Sequence, residues 1–187
     1  MSRPSNHVEP RGPLATARHY IRDLVYGASD GIVTTFAVVT GVAGGSLSPA
    51  AVLIVGAANL AADGLSMGVG NFLAIRANER ARAADNLPEE EAFPSKHGLA
   101  TFAAFIIAGS VPLLPYLVDA AAANVVVWSV GLTLSTMFGL GAARGFATEE
   151  TWWRAGLESL MLGGLVATAA YAAGALVAAF VGGATSL

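Results

Sequence analysis

A single charged residue, Asp63, interrupts the stretch AAVLIVGAANLAADGLSMGVGNFLAI at residues 50–75. A transmembrane helix needs about 20 mainly apolar residues to cross a hydrocarbon layer of about 30 Å. The stretch satisfies that length, so we predict that it crosses a membrane as one helix. Similar apolar runs occupy most of the remaining chain.

The overall composition also indicates that lipid is the solvent of this chain. Its 187 residues are 55% hydrophobic and only 12% charged, whereas about a quarter are charged in an ordinary soluble domain. The formal net charge is -3 and no basic stripe is present, so nucleic acid is not an expected partner. The absence of cysteine excludes disulfides, thiolate metal sites and a cysteine nucleophile. These features predict an all-α membrane protein.

The apolar runs predict five transmembrane helices within one domain, residues 20–187. We place the spans at residues 20–45, 50–75, 98–118, 121–143 and 155–181. Residues 1–19 have no apolar core and are predicted to form a polar, mobile tail. Residues 76–97 form a short cytoplasmic loop, the one sizeable connection between spans.

The basic residues predict the orientation of these spans. All ten fall in the tail or in the even-numbered loops: Arg3, Arg11, Arg18, Arg22, Arg76, Arg80, Arg82, Lys96, Arg144 and Arg154. Lysine and arginine accumulate on the cytoplasmic side of membrane proteins, so the amino terminus is predicted to be cytoplasmic. Trp152 and Trp153 occupy a position typical of the interfacial aromatic belt.

Glycine and proline residues predict features of helix packing. Glycine pairs spaced by four allow helix backbones to approach closely in lipid, and they occur at Gly27 and Gly31, Gly41 and Gly45, Gly64 and Gly68, and Gly141 and Gly145. We interpret them as helix-packing positions and as secondary support for a homodimer. Pro112 and Pro115 interrupt the hydrogen bonds of the third span and are predicted to kink it.

Three acidic residues, Asp30, Asp63 and Glu158, lie within or at the edge of predicted spans. An ionised carboxylate at membrane depth costs several kcal/mol, so it needs a partner, a cavity, a bound cation or a proton. A local pair with Arg154, four residues earlier, is a sufficient explanation for Glu158. Asp30 and Asp63 either reach interfacial water from a helix end or have a function, and we favour a function.

A polar stripe on the second span is the most informative pattern. Asn59, Asp63, Met67 and Asn71 follow one another at intervals of four and therefore share one helix face. Carboxylate and amide oxygens combined with a thioether suit iron(II) or manganese better than calcium or sodium. Asp23 and Asp30 are seven residues apart on one face of the first span. If these two faces meet, they form a path for a cation.

Long motifs in these spans resemble the vacuolar iron transporter family. They are RDLVYGASDGIVTTFAVVTGVAGG at residues 22–45, ANLAADGLSMGVGNFLA at residues 58–74, HGLATFAAFIIAGSVPLLPYL at residues 97–117, and the pattern of Gly163, Gly164 and Tyr171. The resemblance implies a five-helix homodimer that exports ferrous iron and related divalent ions from the cytosol in exchange for protons.

The resemblance also implies metal-ligand roles for particular residues. The aspartates of the family's first span fall on Asp30 and Asp23, and the methionine of its second span falls on Met67. Plant members place a glutamate eight residues before that methionine, where this chain has Asn59. Because Asp63 stands where they have a small residue, we expect the carboxylate to have moved one turn along the same face.

Plant members also carry a long helical insert, rich in glutamate and methionine, that collects metal between the second and third spans. This chain keeps a short loop whose acids include Glu79, Glu89, Glu90 and Glu91. They are either a solvated run or a cytoplasmic capture site for cations. His97, beside Lys96 at the membrane interface, is expected to be neither a ligand nor a pH sensor.

These observations predict a secondary transporter that moves Fe²⁺ or Mn²⁺ out of the cytoplasm in exchange for protons. The alternatives are a transporter of another divalent cation and a non-transporting membrane subunit. The metal is then a substrate, with no cofactor bound permanently, and the short loops favour a bacterial inner membrane. We predict no enzyme activity, because no nucleophile with a base, phosphate loop or closed metal site is present.

Overall fold

A computed structural model describes residues 4–8, 10–148 and 150–184 of the chain. Across these residues it is helical, with one isolated β-bridge between Ser5 and Glu89 and no strands. The helices are α1 (Pro13–His19), α2 (Ile21–Gly44), α3 (Pro49–Ala84), α4 (Pro94–Ser110), α5 (Leu114–Asp119), α6 (Val125–Thr148) and α7 (Trp152–Ala184). A 3-10 turn, Val111–Leu113, joins α4 to α5.

Five helical segments are long and apolar enough to cross a membrane. They are Ile21–Gly44, Pro49–Ala84, Pro94–Asp119, Val125–Phe146 and Trp152–Gly182. The predicted number of spans is therefore confirmed. Large apolar side chains on α3 and α7, such as Leu65, Leu165 and Phe180, remain exposed on the outside of the bundle. The chain is an integral multi-pass membrane protein, because lipid is the solvent that suits such a surface.

The first span, α2, lies at the centre of the bundle and contacts α3, α4, α6 and α7. Its glycines make this possible: a Cβ added at Gly27 or Gly31 would meet the carbonyl oxygen of Thr101 or Phe105 in α4. A Cβ on Gly44 would likewise meet the carbonyl oxygen of Tyr171 in α7. These contacts lie within one chain, so the predicted glycine pairs are used for packing inside the protomer.

The second span extends further than predicted. It begins at Pro49, where Ser48 caps it by accepting a hydrogen bond from the backbone N–H of Ala51 at 3.4 Å, and it ends at Ala84 rather than at residue 75. A helix of 36 residues is about 54 Å long, which exceeds an apolar layer of about 30 Å. The carboxyl-terminal turns of α3 therefore project beyond the membrane, and they occupy part of the segment that was predicted as a loop.

The third span is interrupted as predicted. Pro112 lies in the 3-10 turn, and Pro115 is the second residue of α5. Neither proline has a backbone N–H, so neither can donate the hydrogen bond that would continue the α-helix. The hydroxyl of Ser129 in α6 donates a hydrogen bond of 2.6 Å to the carbonyl oxygen of Pro112. This contact holds the interruption against the fourth span.

The amino-terminal segment, predicted as a polar tail, forms one helix and a backbone pairing where the structure describes it, and residues 1–3 and 9 lie outside the described residues. Residues 13–19 form α1, and residues 4–6 run beside the connection between α3 and α4. The backbone N–H of Asn6 donates to the carbonyl oxygen of Glu89 at 2.8 Å, and the N–H of Glu89 donates to the carbonyl oxygen of Pro4 at 2.9 Å. Sequence reasoning missed this pairing because the partners are far apart in the chain.

Charged residues collect at one end of the bundle, which we call the basic end. It contains α1, the connection between α3 and α4, and the connection between α6 and α7. All lysines and arginines that the structure describes lie at this end of the bundle. Arg3 is not among the described residues. At the opposite end, Asp119 is the one charged side chain in the part of the chain that the structure describes.

We expect Gly31→Ala to lower the free energy of unfolding by about 1–3 kcal/mol, because its methyl group would collide with the backbone of Phe105. The matched control is Gly139→Ala, where an added Cβ has open space within 4 Å. Thermal unfolding of both variants in one detergent measures the difference. Equal unfolding temperatures would show that α2 and α4 do not approach as closely as described.

Candidate functional site

Asp23, in the first turn of α2, is a buried carboxylate held by polar neighbours. The residue is 2% exposed. The Asn71 side-chain amide donates a hydrogen bond of 2.8 Å to its Oδ1, and Nδ1 of His97 lies 2.6 Å from its Oδ2. The Arg22 guanidinium is 3.7 Å from Oδ1. These contacts compensate the cost of removing the carboxylate from water.

Asn71 and Thr101 extend this network across three helices. The Asn71 amide also donates a hydrogen bond of 2.8 Å to the hydroxyl of Thr101, which donates in turn to the carbonyl oxygen of His97 at 3.1 Å. Side chains from α2, α3 and α4 are thereby joined at one level of the bundle. The predicted faces of the first two spans meet at this level.

The two faces also come together deeper in the bundle. The carboxyl groups of Asp30 and Asp63 lie close enough for their charges to repel each other. Met67 is half-buried and packs against the apolar cluster that contains Phe105. We call the residues along these two faces the polar seam: Asp23, Asp30, Asn59, Asp63, Met67 and Asn71.

Asn59 contributes an unpaired polar group to the polar seam. Its side-chain nitrogen is buried and has no hydrogen-bond partner among the described residues. Such a group costs about 1–3 kcal/mol if nothing binds it. An amide flip exchanges nitrogen and oxygen, so this position can also present a carbonyl oxygen, which is a metal ligand.

The four acids of the predicted capture site do not form one cluster. Glu79 accepts hydrogen bonds of 3.1 Å from the backbone N–H groups of Glu90 and Glu91, which fixes the connection before α4. Arg82 forms a 2.9 Å ion pair with Glu90. Glu89 pairs with the amino-terminal segment through its backbone. Of these four acids, Glu91 is the one whose carboxylate contacts His97, at the buried end of the polar seam.

His97 has a more central position than the sequence indicated. Its side chain is 4% exposed, and its Nε2 lies 3.0 Å from Oε2 of Glu91 while Nδ1 faces Asp23. The imidazole therefore connects the loop to the buried end of the polar seam. One sequence signal was available, because His97 and Thr101 are four residues apart and share the inner face of α4.

A cavity of about 300 Å³ adjoins this end of the polar seam. Its lining includes Asp23, His97 and Glu91, together with His19, Arg22, Ile75, Asn78 and Glu90. Six of the eight lining side chains can carry charge, so the space suits a hydrated ion rather than an apolar molecule. The cavity gives Asp23 a polar approach from the basic end.

Glu158 does not belong to the polar seam, and its predicted partner was wrong. Its carboxylate pairs with Arg144 in α6 at 2.9 Å, whereas the Arg154 guanidinium lies over the Trp153 ring at 5.2 Å from the ring centre. The close approach of Gly141 to α7 brings Arg144 within reach. Glu158 thus links α6 to α7.

The fold and the polar seam define a class: a five-span α-helical membrane protein with carboxylates along the contact between its first two spans. The family model described as the VIT family matches residues 21–93 and 78–175. The chain belongs to the VIT family, which confirms the resemblance found in its motifs.

Individual relatives match over most of their length. Vacuolar iron transporter 1 of Eucalyptus grandis is 26% identical over 213 residues, which cover 83% of this chain and 86% of the relative. Vacuolar iron transporter 1 of Arabidopsis thaliana is 27% identical, with coverage of 83% and 85%. The vacuolar iron transporter of Toxoplasma gondii is 27% identical, with coverage of 89% and 77%.

We expect Asp23→Ala to destabilise the protein by about 1–3 kcal/mol for each buried group that loses its partner, namely the Asn71 amide and the His97 ring. Asp85→Ala, at an exposed position just after α3, is the matched control. Thermal unfolding in detergent checks both. If Asp23→Ala unfolds at the temperature of the control, the network does not hold α2, α3 and α4 together.

Proposed function

We propose that this protein is a secondary transporter that moves Fe²⁺ or Mn²⁺ out of the cytoplasm in exchange for protons. The observation that carries the proposal is that Asp30 in α2 and Asp63 in α3 lie close enough inside the spans for their charges to repel each other. Two like charges at membrane depth are costly, and a divalent cation between them removes that cost. The names of the relatives, vacuolar iron transporters, support the same class of substrate.

The donor set of the polar seam suits a borderline transition metal. Asp30 and Asp63 offer carboxylate oxygens, Asn59 offers an amide oxygen, and Met67 offers a thioether. Hard oxygen ligands with one softer sulfur favour Fe²⁺ or Mn²⁺ over Ca²⁺. Few ligands also mean weak binding, which permits release on the far side. The metal is therefore cargo, and transport requires no enzyme chemistry.

Protons and the metal compete for the same carboxylates. The repulsion between Asp30 and Asp63 is relieved either by a cation or by a proton. A metal ion that enters the pair therefore displaces a proton, and a proton that arrives from the other side displaces the metal. This competition couples the two flows in opposite directions.

We place the basic end in the cytoplasm, since positive residues favour that side. Asp23 and the adjoining cavity then form the cytoplasmic approach to Asp30 and Asp63. The short connections favour a bacterial inner membrane for this chain. Its relatives in plants and Toxoplasma gondii are named as vacuolar proteins.

We also propose a homodimer. Asp63 is only half-buried on α3, an outer helix whose neighbouring Leu65 and Val69 are exposed. In a monomer this flank of the carboxylate would meet lipid, and a second copy on the same face would cover it. A monomeric mass in mild detergent, combined with full activity after reconstitution, would contradict the homodimer.

We expect Asp30→Asn and Asp63→Asn each to reduce metal flux by about tenfold or more, because each removes a ligand charge. The measurement is uptake into liposomes that contain the pure protein, comparing Fe²⁺, Mn²⁺, Co²⁺, Zn²⁺ and Ca²⁺. Glu158→Gln is the matched control, because its carboxylate pairs with Arg144 outside the polar seam.

A rescue variant separates charge from local structure in the same assay. If the second-span carboxylate has moved by one turn, Asn59→Glu should restore a large part of the flux lost in Asp63→Gly, since the positions differ by about 6 Å along the helix. Normal flux in Asp30→Asn and Asp63→Asn would show that these carboxylates are not ligands of the transported metal, whereas absence of flux in the unmodified protein would favour a non-transporting subunit. Preference for Ca²⁺ or Zn²⁺ would identify another divalent cation as the substrate.

The proposed orientation predicts labelling of single cysteines from opposite sides. Ala83→Cys at the basic end should react with an impermeant thiol reagent from the cytoplasmic side, and Ala123→Cys in the opposite turn should react from the other side. The unmodified chain has no cysteine and is the background control. Reaction of both cysteines from one side would contradict the arrangement of spans.

A further inference from the structure

Two histidines of the amino-terminal segment converge on the Glu91 carboxylate. Nδ1 of His7 lies 3.6 Å and Nε2 of His19 lies 3.7 Å from Oε2 of Glu91. One potential ligand atom from each of the three residues lies within 4.8 Å of the others. Residue 7 precedes α1, residue 19 is the last residue of α1, and residue 91 lies in the connection before α4. Only the tertiary structure therefore brings them together.

The separations fit a shared ion better than direct hydrogen bonds. Distances of 3.6 and 3.7 Å exceed the usual range for a nitrogen to oxygen hydrogen bond. Two ligand atoms that are both bound to the same metal ion, each at about 2.1 Å, can be at most about 4.2 Å apart. The gap between Oε2 of Glu91 and Nε2 of His19 therefore has the width that a bound ion would span.

Unpaired nitrogen atoms provide an independent indication of a ligand. Nε2 of His7 and Nε2 of His19 are both buried and make no hydrogen bond within the part of the chain that the structure describes. The His7 side chain is 7% exposed. Its Nδ1 lies 3.2 Å from the carbonyl oxygen of Glu90, and a hydrogen bond donated there orients the ring and leaves the unpaired Nε2 as the nitrogen that can bind a metal ion. Buried imidazole nitrogens without partners are costly unless something binds them.

The surroundings distinguish Glu91 from its acidic neighbours. Arg82 pairs with Glu90 at 2.9 Å and lies 4.0 Å from Glu79, so those two acids are partly neutralised. Glu91 instead faces His7, His19 and, at 3.0 Å, His97. His97 in turn contacts Asp23, so the cluster is continuous with the polar seam.

We propose that His7, His19 and Glu91 together bind one divalent transition-metal ion at the basic end. Two imidazoles and one carboxylate suit Fe²⁺, Mn²⁺, Co²⁺ and Zn²⁺, and they leave positions open for water. Nε2 of His97 lies 3.0 Å from the same oxygen of Glu91, and its Nδ1 faces Asp23, so the His97 ring lies between this site and Asp23. As far as the proposed function holds, the site captures cargo before it enters the polar seam.

Metal binding is tested first without any transport measurement. The full-length protein carrying Asp30→Asn and Asp63→Asn, in detergent micelles, is titrated with Co²⁺, whose visible absorption reports its ligands. This background removes the carboxylates of the polar seam, and the site should still bind Co²⁺ in the presence of excess Ca²⁺. Adding His7→Gln or His19→Gln should weaken binding about tenfold or more, whereas the control Asp85→Asn should not.

A second measurement uses the unmodified protein and does not depend on the folding of any variant. The chain has three histidines, so diethyl pyrocarbonate labelling can be assigned to each by peptide mass spectrometry. Zn²⁺ should protect His7 and His19 from labelling. Unchanged labelling of both residues, or unchanged Co²⁺ binding in both histidine variants, would overturn the site.

Flux then tests the capture role separately from binding. In liposomes, His7→Gln and His19→Gln should raise the metal concentration needed for half-maximal uptake and leave the maximal rate unchanged. If binding is lost but uptake is unchanged at every metal concentration, the site binds metal without feeding the polar seam. Absence of uptake by the wild type would reject the proposed transport function, whereas the Co²⁺ and labelling results would still decide the site.

Discussion

The burial of a carboxylate at the edge of a membrane is the constraint on which the arrangement of the first three spans depends. Asp23 is almost completely buried and needs several polar partners to offset its lost hydration. Asn71 and His97 supply them, one from α3 and one from α4. Because these hydrogen-bond distances must be satisfied together, they fix the positions of α2, α3 and α4 relative to one another along the bundle axis.

Glycine makes this arrangement possible. Gly27 and Gly31 allow α2 to touch the backbone of α4, and Gly68 lets α3 approach α4 so closely that an added Cβ would meet the carbonyl oxygen of Gly98. In lipid there is no hydrophobic force between helices, so such close packing and the hydrogen bonds it permits supply the attraction. Short polar side chains such as that of Thr101 can reach across only because the backbones are close. Packing and polar contacts therefore depend on each other.

The acidic residues divide into two groups according to their partners. Glu90 pairs with Arg82 and Glu158 pairs with Arg144, which places both in local ion pairs near the basic end. Asp30 and Asp63 instead repel each other, and neither forms an ion pair with a basic residue in the part of the chain that the structure describes. The type of partner, more than the number of acids, therefore distinguishes the polar seam from the charged surface.

The amino-terminal segment extends the polar seam beyond the membrane. It is held to the connection before α4 by backbone hydrogen bonds, and it carries His7 next to Glu91. A long insert is one way to hold metal ligands above a membrane domain, and a folded terminus is another. In this chain the contacts of His97 with Glu91 and Asp23 link the connection before α4 to the buried end of the polar seam.

The sequence by itself determined the features that depend on one helix at a time. Apolar length predicted the five spans, and helical periodicity placed Asn59, Asp63, Met67 and Asn71 on one face. Pro112 predicted the interruption of the third span because its effect on hydrogen bonding is local. The family was also identifiable from the sequence, since long motifs at residues 22–45, 58–74 and 97–117 carry the resemblance.

Only the tertiary structure decided which of these faces meet and what joins them. The partner of Glu158 is Arg144 rather than Arg154, and His97 lies between Asp23 and Glu91. These contacts depend on the distance and the offset between helices, which many glycine and side-chain contacts set together. No local pattern encodes that offset, so residues far apart in the chain, such as those at positions 7 and 91, become neighbours only in the folded protein.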